Sequence, residues 1–292
     1  MSPSPAGVIL QAQVSMRRSA VRRQLQSVAS GKTETLSIEV DQVGVDVGAI
    51  LEEVTRGKEM ESAPVQNLVL AFVNSGTADK VVERLTAKNP DHRIRSARVL
   101  GALRMYEGVP WLAALLESRD RKVSDAAARA LGKIRGAKSA AAIVTAIQRR
   151  GINRRLVAEL ARSAPDLFIE SALLEPQRPS VRPALAMAAG LRRRRAAVGP
   201  LIALLEHGTR RERVIACRAL GWMGAASAAP VIIAALQDPD WKTRMSAAKA
   251  LGALRAVSAR DDLKYLTIDR NTRVRAAARL ALNRVKDVHG GA

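Results

Sequence analysis

Asp238-Pro-Asp-Trp-Lys-Thr-Arg-Met-Ser-Ala-Ala-Lys-Ala-Leu-Gly252 is the stretch that decides the architecture of this 292-residue chain. An acidic turn leads into a run in which small residues and Leu recur at helical spacing, and the run closes on Gly. That pattern reads as a helix whose small side chains let a neighbouring helix approach closely, with Leu filling the seam. The same frame recurs at Val123–Gly132 and Glu212–Gly221, and also at His92–Gly101 and Val181–Gly190. A further copy runs from Thr272 to Ala281, with Ala as its last residue, and a weaker one from Ile152 to Ala161. The frames end at 101, 132, 161, 190, 221, 252 and 281, in steps of 31, 29, 29, 31, 31 and 29 residues. A period of this length marks a stacked repeat. The terminal Gly reads as a helix stop.

A second apolar segment follows each frame. Examples are Val109-Pro-Trp-Leu-Ala-Ala-Leu-Leu116, Val198-Gly-Pro-Leu-Ile-Ala-Leu-Leu205 and Ala229-Pro-Val-Ile-Ile-Ala-Ala-Leu236. Pro110, Pro200 and Pro230 fall in the first turn, where a missing N–H costs little. Each unit is therefore an antiparallel helix pair of about 30 residues, and stacking is what buries its apolar face. The expected fold is all-α, an α-solenoid. Seven pairs span about Ser62 to Ile268, and a closing helix spans about Asn271 to Lys286. Residues 61–286 form the solenoid and 34–60 an atypical N-terminal cap. Within the cap, Leu36, Ile38, Val40, Val43, Val45 and Val47 alternate as in a strand, and Ala49 to Val54 reads as helical. Residues 1–33 read as a flexible basic segment and 287–292, including His289-Gly290-Gly291-Ala292, as a frayed tail.

The Asp-hydrophobic-Arg-Ala-Ala-Ala-Leu-Gly pattern resembles the short HEAT-like repeat of bacterial proteins, the type first associated with phycobilisome lyases. The resemblance covers about three quarters of the chain. It implies an α-solenoid and leaves the activity open, because such repeats serve many functions. The layout is also similar to bacterial HEAT-repeat proteins associated with membrane glycosyltransferases. Those carry an N-terminal membrane helix and a basic segment; Arg17, Arg18, Arg22 and Arg23 match the basic segment only.

Composition narrows the classes. Aromatic residues are 2% and hydrophobic residues 48%, which argues against a sheet-rich fold and against a disordered polycation. Cys217 is the single cysteine, so no intrachain disulfide forms and a reducing compartment is expected. No apolar run reaches the length of a membrane span. The acid-free start with Lys32 and its four arginines is compatible with a transit peptide, with a segment lying on anionic lipid, or with a plain tail. The expected location is cytoplasmic, or peripheral to a membrane.

Catalytic chemistry is hard to find in the sequence. His92, His207 and His289 are scattered, whereas a zinc site needs three or four clustered ligands. The HEAT-fold hydroxylase that binds iron uses repeated His-Glu pairs, and this chain has only Glu206-His207, once and reversed. A phycobilin lyase requires a tetrapyrrole groove, for which no feature here calls. Cys217 takes a position held by Ala127 and Ala248 in other frames, the mark of a buried small residue. No Gly-x-Ser-x-Gly, Walker A loop or dinucleotide fingerprint occurs. The expectation is no enzyme, no cofactor, no metal and no small-molecule substrate.

Charge is the strong functional signal: 48 basic against 27 acidic residues, +21 net, with an isoelectric point near 11.3. Placement matters more than number. Arg119, Arg121 and Lys122 lie at one inter-repeat turn, and Arg149, Arg150, Arg154 and Arg155 at the next. Then come Arg178, then Arg210 and Arg211, then Lys242, then Arg270. Along a solenoid edge these form a stripe suited to an anionic partner. Arg93, Arg182, Arg213, Arg244 and Arg273 hold the repeat's own Arg position, where they bond neighbouring carboxylates or carbonyls such as those of Asp240 and Asp269. Arg192, Arg193, Arg194 and Arg195 form a second basic cluster on the opposite edge, and Arg17, Arg18, Arg22 and Arg23 an N-terminal one. Trp111, Trp222 and Trp241 read as packing residues. The second helices carry only isolated polar residues, such as Glu117, Thr145, Gln148, Glu206 and Gln237, which suits a shallow groove for a partner's peptide or helix. The resulting expectation is a protein-interaction scaffold for an acidic protein or multi-protein assembly, with an anionic membrane surface as a further partner. The alternative is sequence-independent nucleic-acid binding through the Arg-rich edge.

Overall fold

The computed structural model describes residues 5–38, 40, 44–175 and 178–286, and the expected tail at 287–292 lies outside the described residues. All regular structure among the described residues is helical. Two helices come first: α1 (Pro5–Ala29) and α2 (Val47–Val54). Seven pairs follow: α3 (Ala63–Asn74) with α4 (Thr77–Glu83), α5 (Pro90–Leu103) with α6 (Val109–Leu115), α7 (Arg121–Ile134) with α8 (Gly136–Arg150), and α9 (Arg154–Ser163) with α10 (Asp166–Leu174). The series continues with α11 (Val181–Arg192) and α12 (Val198–His207), α13 (Arg210–Met223) and α14 (Ala229–Ala234), and α15 (Trp241–Leu254) and α16 (Arg260–Tyr265). It closes on α17 (Thr272–Lys286). The fold is an α-solenoid. The chain divides within α8 into two compact units, 1–146 and 147–292.

In the first unit α2 lies on α5 and α5 on α7, so α2 takes the place of a first helix while α3 packs on α1; in the second the first helices α9, α11, α13, α15 and the closing α17 lie side by side. The repeat's Gly sits at these contacts. A Cβ built on Gly101, Gly190 or Gly252 would stand 2.8 Å from the Cα of Ala130, Ala219 or Ala281, and one on Gly221 would stand 3.0 Å from that of Ala250. This corrects the reading of the Gly as a helix stop, because the helices run on for two residues. The stop comes next, at a left-handed residue: Arg104 (φ 54°), Arg193 (φ 51°), Gly224 (φ 69°) or Arg255 (φ 50°). There the following amide donates back to the carbonyl of Leu100, Ala189, Leu220 or Leu251, the closure that satisfies orphan carbonyls at a helix end.

The Gly–Ala contacts also correct the last frame. Gly252 meets Ala281 as Gly221 meets Ala250, so Ala281 occupies the position of Ala250 and the frame runs from 274 to 283. Leu280 is accordingly 64% exposed.

Two N-terminal expectations change. Residues 5–29 form a helix that docks on α2 and α3 instead of a flexible segment. Val21, Leu25 and Val28 recur at i, i+4 and i+7 and are buried, which gives α1 the apolar stripe it needs. The alternation from Leu36 is one of burial, with Leu36, Ile38 and Val40 inside and Ser37 exposed, but no strand forms. The chain there has no strand partner among the described residues, and Val43 lies outside them.

Candidate partner-binding surfaces

The inter-repeat turns are built by Asp and Arg. Asp240 caps α15, accepting from the backbone N–H of Thr243, and Asp120 caps α7 by accepting from that of Lys122. Thr209 and Glu212 cap α13 reciprocally. Arg244 donates through Nε and Nη2 to the two carboxylate oxygens of Asp269 at 2.8 and 3.0 Å, and through Nη1 to the carbonyls of Asp238 and Pro239. One repeat earlier, Arg213 grips Asp238 in the same forked way, at 2.7 and 3.2 Å, and donates to the Gly208 carbonyl. Burial raises the Asp269 carboxyl, but donation from Arg244 and from the Asn271 amide outweighs it and holds the group below the usual carboxylate range. Asp240 is lowered likewise: burial opposes, and Arg210 and Thr243 prevail. The hydrogen bond from Arg213 to Asp238 raises the Arg213 pKa.

These clamps refine the sequence reading. Arg213 and Arg244 work within the repeat as expected, and Arg182 donates to the Glu175 carbonyl. The partner of Asp240, however, is Arg210, at 2.8 Å. In the last repeat Arg275, not Arg273, donates to the Asp269 carbonyl, as the shifted frame requires. Arg273 instead lies over the Trp241 ring at 5.4 Å, with Lys242 at 5.7 Å.

Each of Arg121, Lys122, Arg149, Arg150, Arg154, Arg155, Arg178, Arg210, Arg211, Lys242 and Arg270 is solvent-exposed. Several stand in the first turn of a helix: Arg121 and Lys122 on α7, Arg154 and Arg155 on α9, and Arg210 and Arg211 on α13. A helix N-terminus carries partial positive charge, so cations there oppose helix stability by a few tenths of a kcal/mol each and favour an approaching anion.

Two equivalent notches lie at the inter-repeat turns of the second unit. One, of about 650 Å³, is bordered by Leu205, Arg213, Val231 and Asp238. The next, of about 590 Å³, is bordered by Leu236, Arg244, Asp269 and Arg270, and by the exposed side chains of Tyr265 and Ile268.

The second basic cluster does not survive intact. Arg194 is 9% exposed, donates to the carbonyls of Ala161 and Ala164, and pairs with Asp166 at 2.6 Å. Burial pushes its pKa down and Asp166 opposes. It ties one repeat to the next, leaving Arg192, Arg193 and Arg195 exposed. In the N-terminal set, Arg18 and Arg22 both pair with Glu53 of α2, while Arg17 and Arg23 face solvent. Cys217 is fully buried, and burial pushes its thiol up to about 12, which keeps it protonated and unreactive.

Part of one surface, Arg218, Lys249, Arg279 and Arg284, was missed in the sequence. On α11, α13, α15 and α17 every exposed charge is cationic: Arg192, Arg210, Arg211, Arg218, Lys242, Lys249, Arg273, Arg279 and Arg284. The one acid on these helices, Glu212, is buried in its cap. Trp222 (45%) and Leu280 (64%) are exposed among them. The signal was present as residues 31 apart, but only the corrected frame aligns it.

No cluster of three metal-ligating side chains, and no helix long and apolar enough to cross a membrane, occurs among the described residues. What fold and surface define is a repeat scaffold. The chain belongs to the HEAT-repeat family, whose model matches residues 78–162 and 200–283. No curated protein matches the sequence. Among solved structures, human deoxyhypusine hydroxylase in complex with glycerol aligns at 18% identity over 97% of this chain and 100% of that one, with a TM-score of 0.38. A designed armadillo repeat protein aligns at 16% over 70% and 98%, also at 0.38. The complex of CpcE and CpcF of phycocyanin lyase from Nostoc sp. PCC7120 aligns at 18% over 88% and 92%, at 0.32.

Proposed function

We propose that the protein is a cytoplasmic, non-enzymatic scaffold that engages an acidic protein partner along its inter-repeat edge. The observation that carries this reading is the pairing of charge with apolar surface. Arg270 stands beside the exposed Tyr265 and Ile268, at a notch whose other arginine, Arg244, is already neutralised by Asp269. A protein partner buries such apolar groups and answers the remaining cations, whereas a phosphate backbone answers only the cations. The helix N-terminal arginine pairs steer and orient the partner. They also support a second reading, sequence-independent nucleic-acid binding, because helix N-termini with Arg receive phosphates well.

The test is a crosslinked affinity purification from the native cell, split into nuclease-treated and untreated halves and read by mass spectrometry. A defined protein set that survives nuclease is the expected result. Recovery that collapses to nucleoproteins on nuclease treatment overturns the scaffold reading in favour of nucleic acid.

A further inference from the structure

The outer face of α13, α15 and α17 holds a groove of about 450 Å³, away from the inter-repeat notches. Its floor is Gly221, Ala250, Gly252 and Ala281, the residues at which the helices touch. Its rim follows the 31-residue register. Arg218, Lys249 and Leu280 occupy one position, and Trp222, Ala253 and Arg284 the position four residues later, so both rows share one helix face. Arg218, Lys249 and Arg284 have no ion-pair partner among the described residues.

The unit 1–146 contains the same groove in the same register. Arg98, Gly101, Arg129, Ala130 and Lys133 correspond to Arg218, Gly221, Lys249, Ala250 and Ala253. There a side chain of the preceding helix in the stack reaches into the groove. Helix α2 lies on α5 and sends the Glu52 carboxylate to 2.7 Å from Lys133 Nζ and 3.9 Å from Arg98 Nε, and Asp46 pairs with Arg98. About 10 Å³ of space remains. One copy of the groove thus takes a carboxylate from the helix stacked before it, Val47-Gly-Ala-Ile-Leu-Glu-Glu-Val54, whereas α11, stacked before α13, carries no acid and leaves the other copy open.

We propose that the groove of α13, α15 and α17 binds an acidic amphipathic helix of a partner protein, with a carboxylate on Arg218 and Lys249, the counterparts of Arg98 and Arg129. The inference rests on the scaffold reading and names its docking site. Three features select this occupant. The exposed charges around the groove are all cationic, the floor is apolar, and Trp222 and Leu280 offer apolar contacts that a phosphate backbone leaves unused. Ala253, standing where the other unit has Lys133, leaves room for the helix to settle.

The probe is a fluorescein-labelled, lactam-stapled amphipathic helix of about 15 residues, with a Leu stripe flanked by Glu, read by anisotropy against the full chain in near-physiological salt. The expected result is saturable binding, weakened about tenfold or more by R218E/K249E and by A253W, which fills the groove without changing charge. Circular dichroism melts check that both variants fold. Equal binding of a scrambled peptide of the same composition, or unchanged binding to A253W, overturns the proposal. So does displacement of the peptide by a short DNA duplex that itself binds A253W as tightly as the parent chain. Failure here is separable from failure of the scaffold reading. If the nuclease-resistant protein set is recovered equally with both groove variants, the scaffold stands and the groove is not its site; if nuclease removes the set, the scaffold reading itself fails.

Discussion

Arg244 illustrates what a buried cation does in this protein. Its side chain is 8% exposed and donates to both oxygens of Asp269 and to two carbonyls of the preceding turn. Arg244→Ala is expected to cost about 3–4 kcal/mol in urea denaturation, because it strands the Asp269 charge in a partly dry site. Lys242→Ala, on the exposed neighbour, is expected to change stability by less than about 0.5 kcal/mol in the same measurement. The depressed carboxyl of Asp269 gives a sign for pH. Its folded pKa lies below its unfolded one, so its contribution is complete above the unfolded value of about 3.9 and is lost as pH falls through the lower folded value. Thermal melts of Asp269→Asn below about pH 4 should therefore fall less steeply with acid than those of the parent chain. The Arg and Asp of the clamp were both legible in the sequence as repeat positions. Their exact pairing in the last unit was not. Thr272-Arg-Val-Arg275 and Leu280-Ala-Leu282 each offer two registers two residues apart, and only the backbone contact of Gly252 with Ala281 chooses between them.

At the scale of the helix, two glycines should respond oppositely to the same substitution. A Cβ on Gly252 meets the Ala281 Cα at 2.8 Å, so Gly252→Ala must push α17 away and lower the melting temperature despite a better helix propensity. Gly199, exposed in the first turn of α12, has nothing within 4 Å, and Gly199→Ala is expected to stabilise by about 0.5–1 kcal/mol in the same melts. Arg255 offers a third case. It holds φ 50° where the preceding repeat has Gly224, and Arg255→Gly should raise the melting temperature by relieving a left-handed residue that costs about 1 kcal/mol. Helix existence and pairing were readable because apolar spacing and first-turn prolines mark them locally. The role of the repeat's Gly was not, because a stop and a close approach leave the same letter near a helix end, and the difference lies in the neighbouring helix. Helix α1 escaped for a related reason: its arginines dominate the composition, while Val21, Leu25 and Val28 carry its packing.

Across the whole molecule the net charge of +21 is carried largely outside the clamps, on exposed turns and first helices. Mutual repulsion of these cations should make the folded chain more stable as salt rises from about 10 to about 150 mM, where the Debye length shortens to about 8 Å. A fall in calorimetric melting temperature over that range would show that the clamps, which salt weakens, outweigh the repulsion. The Gly–Ala contact has a further consequence, for how such a chain can lengthen or shorten. Gly221 faces Ala250 and Gly252 faces Ala281 across the same 29-residue interval. Removing residues 222–252 would bring Gly221 directly against Ala281 and so renew the same Gly–Ala contact at the new joint. The length of this array is therefore quantised: recombination or engineering can add or delete whole repeats, whereas a change that is not a whole repeat would misalign a glycine with a side chain it cannot approach.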